Sequence, residues 1–151
     1  MKITNSSDAL LNLIQEFEGF EPKPYLCPAG VPTIGFGSTR YFSGKKVTLQ
    51  DKEITRGQAL DLLKQTLDFY ERQVDAFCVD SITQHQFDAL VDFAYNCGVG
   101  NLKSSTLLKM VNANPNDVKI GLEFMKWVNA GGKRLNGLVK RRNAEVILYY
   151  S

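Results

Sequence analysis

Three chemically different side chains lie close together near the start of the chain: a carboxyl, a thiol and a hydroxyl. Glu18 ends an apolar helical pattern, Cys27 follows after eight intervening residues, and Thr33 follows after five more. The prolines and glycines between them force sharp turns, so one small cleft could collect all three groups. Glycoside hydrolysis needs a protonated carboxyl beside the leaving oxygen and a second group that manages a water or the developing cation. Glu18 can supply the first, but the second would not be the usual carboxylate.

The pattern around Glu18 predicts that it ends a helix beginning at Ser6. Apolar side chains recur at helical spacing, at Leu10, Leu13, Ile14 and Phe17. Ser6 or Ser7 can cap this helix, and Gly19 stops it. The macrodipole at a helix C-terminus disfavours an ionised carboxylate, which suits a group that must hold a proton.

The next segment, from Tyr25 to Val47, alternates apolar and small residues with glycines between them. This pattern predicts a small antiparallel sheet of two or three short strands. Two later segments, Thr55-x-x-Gln58 and Thr83-x-x-Gln86, have the sequence of capping boxes. Each of them predicts the start of a helix.

The remainder of the chain is predicted to be helical. The two capped helices are expected to end at about Phe77 and about Asn96, and further helices are expected near 104–112, 115–128 and 137–149. Pro115 is well placed as a first helical residue. The fold class is therefore α+β: a small N-terminal antiparallel sheet lobe and a larger C-terminal helical lobe, with a cleft between them.

Three segments, in this order along the chain, resemble the phage lysozymes (endolysins) of glycoside hydrolase family 24, the T4-lysozyme family. The first is similar to the active-site signature of the family and comprises Glu18-Gly19, Tyr25, Cys27, Gly30 and Thr33-Ile34-Gly35-Phe36-Gly37. The second, Gln84 to Gly98, resembles its central helix. The third, Trp127 to Lys133 with Gly137 to Glu145, resembles the C-terminal segment of the lambdoid and P22-like branch.

The resemblance implies a single lysozyme domain over residues 1–151, with a sheet lobe at about 19–54 and a helical lobe at about 55–151 plus the N-terminal helix. It also implies a muramidase that hydrolyses the β-1,4 bond between N-acetylmuramic acid and N-acetylglucosamine and so lyses the host cell. Glu18 would be the general acid, and Tyr25, Gly35 and Gly37 would contact the substrate.

Cys27 departs from the family pattern, because many members carry Asp there. A thiol with a pKa near about 8.5 is a poor base at neutral pH unless that pKa is lowered. As a thiolate it could instead attack the anomeric carbon. We expect it to activate water beside Thr33, whose hydroxyl would orient the water or contact the sugar, in an inverting reaction.

Three other functions compete with this one. A lytic transglycosylase could use Glu18 alone, with the sugar's own hydroxyl as the nucleophile. Cys27 and His85 could form the dyad of a cell-wall amidase, although the polar neighbours of His85 favour a surface position. A non-catalytic cell-wall binding module is the third alternative, but binding alone needs no acid at Glu18.

Composition limits the partners. No apolar run is long enough to span a membrane, so no stable membrane insertion is expected. The first residues lack the pattern of a signal peptide, which predicts that the protein stays in the host cytoplasm until a holin releases it to peptidoglycan in the periplasm. No ligand cluster or phosphate loop predicts a metal or organic cofactor. We expect a monomer that does not bind nucleic acid.

Charge is distributed unevenly along the chain. Residues 1–100 carry 9 Lys/Arg against 13 Asp/Glu, and residues 101–151 carry 9 against 3. The basic C-terminal third could attract an anionic polymer such as the bacterial envelope, or it could simply form a solvated helical face.

Overall fold

A computed structural model describes residues 3–151. Two compact units are formed, one from Asn12–Phe69 and the other from Tyr70–Ser151 together with the chain up to Leu11. Helices α1, Asp8–Glu18, and α2, Arg56–Phe77, contribute residues to both units. Within residues 3–151 no helix combines the length and apolar character needed to cross a membrane.

The smaller unit, Asn12–Phe69, contains an antiparallel pair of strands, β1 at Glu21–Leu26 and β2 at Pro32–Gly35. Strand β1 starts earlier than the sequence predicted and passes through two prolines. The register shifts between Glu21 and Tyr25, and this bulge accommodates residues that cannot donate to a sheet ladder. Strand β2 is the only one of the pair that is mostly buried.

Beyond β2 the chain continues through isolated bridges rather than a full third strand. The bridges pair Ile34 with Ser38 and Arg40 with Lys46. A small core forms beneath them from Ile34, Val47 and Leu62, with Tyr41 and Ile54 packed against it. Helix α2 then begins as predicted: Gln58 donates its N–H to the Thr55 hydroxyl at 3.1 Å, and the Thr55 N–H donates to the Gln58 side chain at 2.9 Å.

The larger unit is helical and surrounds α3, Gln84–Cys97. This helix starts at the predicted capping box, in which Thr83 and Gln86 bond each other's backbone reciprocally. All of its residues from Gln86 to Ala94 are buried. Four more helices complete the unit: α4 at Val99–Ser104, α5 at Thr106–Ala113, α6 at Ile120–Phe124 and α7 at Asn136–Tyr149.

The predicted helix over 115–128 is wrong at both ends, because α6 covers only Ile120–Phe124. Asn114 and Asp117 accept the backbone N–H groups of Asn116 and Lys119 through their side chains, at 3.1 and 2.9 Å. Such short-range bonds favour turns over helix. The carbonyl of Pro115 accepts the Tyr149 hydroxyl at 2.6 Å, which fixes this turn against α7. Helix α4 and the short hairpin of β3, Asn129–Ala130, and β4, Lys133–Arg134, were not predicted.

The fold class is confirmed. The described chain is mostly helical with small antiparallel sheets, as an α+β fold requires.

Candidate active site

Glu18 is the last residue of α1 and its side chain is half-buried. The helix ends there because Gly19 adopts a φ of +68°, a conformation that other residues rarely take, and its N–H donates to the Gln15 carbonyl at 3.2 Å. Phe20 then leads directly into β1. The carboxyl group therefore lies at the junction between helix and sheet.

Cys27 lies at the end of β1, in the turn that leads to β2. Its N–H donates to the Val31 carbonyl at 3.1 Å, and its own carbonyl accepts the Gly30 N–H at 2.8 Å. Gly30 has a φ of +77°, which closes the turn. The turn brings the backbone of residues 29–31 round toward the Cys27 side chain.

Hydrogen-bond donors lower the pKa of the Cys27 thiol from its ordinary value. The backbone N–H of Val31 contributes most, and the N–H of Ala29 and the Thr33 hydroxyl add to it, while partial burial acts in the opposite direction. A thiolate is stabilised when several donors converge on it. The sulfur is half-exposed, so a water or a substrate can also reach it.

Thr33 lies on β2, and its buried hydroxyl donates to the Val31 carbonyl at 2.9 Å. It is the direct cross-strand partner of Tyr25. Burial raises the pKa of Tyr25, and the negative charges of Glu18, Glu21 and Cys27 raise it further. Tyr25 therefore lies close enough to both Glu18 and Cys27 for their charges to affect its pKa. The structure brings Tyr25, Cys27 and Thr33 together where β1 ends and β2 begins, and Glu18 is close enough to act on Tyr25 electrostatically.

Gly35 and Gly37 form the tight turn after β2. Their φ values of +69° and +95° favour glycine, and Ile34 and Ser38 exchange backbone hydrogen bonds of 2.9 and 3.0 Å across the turn. A Cβ at Gly35 would lie 2.9 Å from the Cβ of Ala59 on α2. Helix packing therefore already explains glycine at Gly35, and contact of either residue with a sugar stays a prediction.

Two features of this site have no signal in the sequence. The N–H groups of Ala29 and Val31 act on the sulfur but carry no side-chain signal. The guanidinium of Arg56, at the start of α2, lies over the rings of Phe20 and Phe36. Nothing in the spacing of these three residues indicates that they meet.

His85 has a partner elsewhere in the chain. Its Nδ1 lies 2.7 Å from the Ser151 hydroxyl, in the helical unit.

Residues 15–145 match the family model described as phage lysozyme. Over 96% of its length the chain is 43% identical to the endolysin of Bacillus phage B103, of which it covers 54%. The chain spans about half the length of the Bacillus phage endolysins that it matches.

Two solved structures extend the comparison. An endolysin from Escherichia coli O157:H7 phage FAHEc1 superposes with a TM-score of 0.87 at 34% identity, covering 99% of this chain and 96% of that one. The muramidase domain of SpmX from Asticaccaulis excentricus gives a TM-score of 0.83 at 28% identity, covering 99% of each chain.

Proposed function

Because the chain belongs to the phage lysozyme family, we propose that it is a muramidase that hydrolyses the β-1,4 bond between N-acetylmuramic acid and N-acetylglucosamine in peptidoglycan. The observation that carries the proposal is the half-buried Glu18 at the end of α1, gathered with Cys27 and Thr33 around Tyr25. The likeness to a domain named as a muramidase supports the same reaction class.

In the proposed reaction Glu18 donates its proton to the glycosidic oxygen as the bond from that oxygen to the anomeric carbon breaks. A water attacks the anomeric carbon from the opposite face and inverts its configuration. The Cys27 thiolate accepts the proton that this water loses, which balances the proton given up by Glu18. Solvent then returns both groups to their starting states.

Thr33 can serve this step because its hydroxyl has two acceptors within reach, the Val31 carbonyl and the Cys27 sulfur. A hydroxyl carries one proton, so Thr33 cannot donate to the Val31 carbonyl and to the sulfur at the same moment. The bond to Val31 holds the hydroxyl in place, and rotation about its C–O bond directs the proton to a thiolate. Thr33 thereby orients Cys27 and the attacking water.

Substitution of the acid tests the proposed chemistry. Glu18→Gln should fold normally and lose at least about a hundredfold in clearing of permeabilised Gram-negative cells, the usual scale for a general acid. Glu16→Gln is the matched control, because Glu16 is an exposed carboxyl on the same helix. Retention of more than a tenth of the activity in Glu18→Gln would refute the assignment.

Mass analysis of digested peptidoglycan tests the reaction type. Hydrolysis leaves a reducing muramic acid end, whereas transglycosylation leaves an anhydro end and amidase action frees peptide stems. A reducing end is the expected product. Any other product, or none, would assign the protein to one of the competing functions.

We also propose a route to the substrate, based on the absence of a signal-peptide pattern in the first residues. The protein would accumulate in the host cytoplasm as a monomer until a holin permeabilises the membrane, and would then act in the periplasm. Expression alone should leave host cells intact, and co-expression with a holin should lyse them within minutes, which a turbidity trace records. Rapid lysis without a holin would show that the protein exports itself.

A further inference from the structure

Arg56, the first residue of α2, connects the end of α1 to the turn after β2. Its guanidinium carbon lies 5.7 Å from the ring centroid of Phe20 and 5.2 Å from that of Phe36. Its Nη2 donates to the Gln15 side-chain oxygen at 3.2 Å. The two rings also contact each other, with centroids 5.6 Å apart and planes tilted by 43°. We call these four residues the Arg56 cluster.

Each partner of Arg56 lies within three residues of a candidate catalytic residue in the chain. Gln15 is one helical turn before Glu18, and its carbonyl accepts the Gly19 N–H. Phe20 is two residues after Glu18, so the cluster holds the chain on both sides of the acid. Phe36 is three residues after Thr33 and is fully buried between two glycines of positive φ.

We propose that Arg56 is a positioning residue, which fixes the Glu18 end of α1 relative to the turn that follows β2, the strand that carries Thr33. This inference rests on the proposed muramidase reaction. Inversion needs room for one water between the sugar and the activating group, so the spacing across the site decides whether attack occurs. A misplacement of about 1 Å can cost about a hundredfold in rate. A link that crosses from α1 to the β2 turn therefore bears directly on the chemical step.

Arginine suits this position better than lysine. Its planar guanidinium can lie over two aromatic faces while its edge donates to a side-chain oxygen. A lysine ammonium keeps the charge but cannot make the stacked contact and the directed hydrogen bond together. The substitution Arg56→Lys thus tests the stacked contact and the hydrogen bond of Arg56 while the positive charge is kept.

Steady-state kinetics on soluble peptidoglycan fragments provide the test. Arg56→Lys and Arg56→Gln should each lower kcat by about tenfold or more while KM stays within about twofold, because the substrate still binds but the reacting groups are misaligned. Lys64→Gln is the control, since Lys64 is an exposed cation on the same helix. It should leave both constants unchanged.

Two further measurements separate positioning from a loss of folding. The melting temperature of Arg56→Lys should stay within a few degrees of the wild type, and amide hydrogen exchange should rise at residues 18–20 and 35–37 but not elsewhere. Combining Arg56→Lys with Phe20→Leu should lower kcat little beyond the worse single variant, because both changes break the same cluster.

The outcomes are distinguishable. An unchanged kcat in a folded Arg56→Lys protein would overturn the positioning role while leaving the muramidase assignment intact. A kcat loss that matches the unfolded fraction, or additive losses in the double variant, would also overturn it. An inactive wild-type protein would overturn the proposed function and the positioning role of Arg56 with it.

Discussion

The sulfur of Cys27 faces the backbone N–H groups of Val31 and Ala29 and the hydroxyl of Thr33. Converging donors stabilise a negative atom whether it is sulfur or oxygen. In the family that this chain resembles, many members carry an Asp carboxylate at the position of Cys27. A turn that favours an anion can accept either side chain, and the sulfur need not act as a nucleophile.

Substitution of Cys27 should distinguish these roles. Cys27→Asp should keep substantial activity and extend it to lower pH, because a carboxyl with a pKa near about 3.9 stays ionised where the thiol is protonated. Wild-type activity should fall as the pH drops through the lowered thiol pKa. Cys27→Ala should lose most activity across the range. Initial rates of turbidity clearing from about pH 4 to about pH 9 provide the measurement.

A control for this series is available in the chain. Burial raises the pKa of Cys78 to about 12, so Cys78→Ala should change neither the rate nor its pH dependence. A folded but inactive Cys27→Asp enzyme would refute the water-activation role, and an equally inactive His85→Ala would favour the amidase. A nearly unaffected Cys27→Ala would favour transglycosylation.

At the scale of elements, a buried ionic network joins α3 to α7. Arg141 donates two hydrogen bonds to Asp92, at 3.0 and 2.8 Å, and both side chains are almost fully buried. Arg142 donates from Nη2 to Glu145 at 2.9 Å. Its Nε lies 2.7 Å from the second Glu145 oxygen, although not in the geometry of a linear hydrogen bond. Asn96 and Cys97 also contact Arg142.

The pKa values of the two carboxyls in this network are shifted in opposite directions. Burial, with the hydrogen bond to Asp92 and the negative charge of Asp92, raises the pKa of Glu145 well above its usual range. Burial opposes ionisation of Asp92 too, but hydrogen bonds from Glu145 and Arg141 and the charges of both arginines hold its pKa below the ordinary value. Asp92 is therefore the carboxylate that neutralises Arg141.

Replacing each carboxyl by its amide should have unequal effects on stability. Asp92→Asn leaves Arg141 buried without its counter-charge and should lower the free energy of unfolding by about 3–5 kcal/mol. Glu145→Gln should cost clearly less, because an amide mimics the protonated carboxyl. Urea denaturation at neutral pH measures both. Lys126→Ala breaks the ion pair between Lys126 and Glu123. The Lys126 side chain is 65% exposed, so this substitution should cost no more than about 1 kcal/mol.

The same experiment has a pH dependence with a defined sign. The contribution of Asp92 is present above its unfolded pKa of about 3.9 and is lost as the pH falls through its lower folded pKa. The contribution of Glu145 is complete below its unfolded pKa of about 4.3 and is lost as the pH rises through its raised folded pKa. Glu145→Gln should abolish the second trend. Equal destabilisation by both substitutions would contradict this assignment of charges.

Local signals predicted the elements better than the contacts between them. The Thr55 and Thr83 capping boxes and the stop at Gly19 each act within a few residues, so the sequence locates those helix ends well. The helix start expected at Pro115 was wrong because the side chains of Asn114 and Asp117, on either side of it, accept backbone N–H groups instead.

One pair of the ionic network is local in the sequence and the other is not. Arg142 and Glu145 are three residues apart on one helix, whereas Arg141 and Asp92 are 49 residues apart and only folding brings them together. The Arg56 cluster could not be predicted for the same reason. Its members come from α1, the link between α1 and β1, the turn after β2, and α2.

For the molecule as a whole, the structure refines the meaning of the charge asymmetry. Of the nine cations in residues 101–151, Arg141 and Arg142 are buried and paired with carboxyls. The other seven are exposed: Lys103, Lys109, Lys119, Lys126, Lys133, Arg134 and Lys140. The basic C-terminal third thus keeps most of its charge at the surface, where an anionic polymer can meet it.

If this surface charge attracts the cell wall, binding should weaken with salt. The inactive Glu18→Gln variant should pellet with purified anionic sacculi at about 25 mM NaCl and be largely released at about 300 mM, where the screening length falls from about 20 to about 6 Å. Lys133→Glu with Arg134→Glu, in the exposed β3–β4 hairpin, should reduce the bound fraction several-fold at low salt. Lys52→Glu with Lys64→Glu makes the same change in net charge within the other unit and should reduce it less. Equal losses in the two pairs would mean that only net charge matters, and binding that ignores salt would leave the basic residues as a solvated surface.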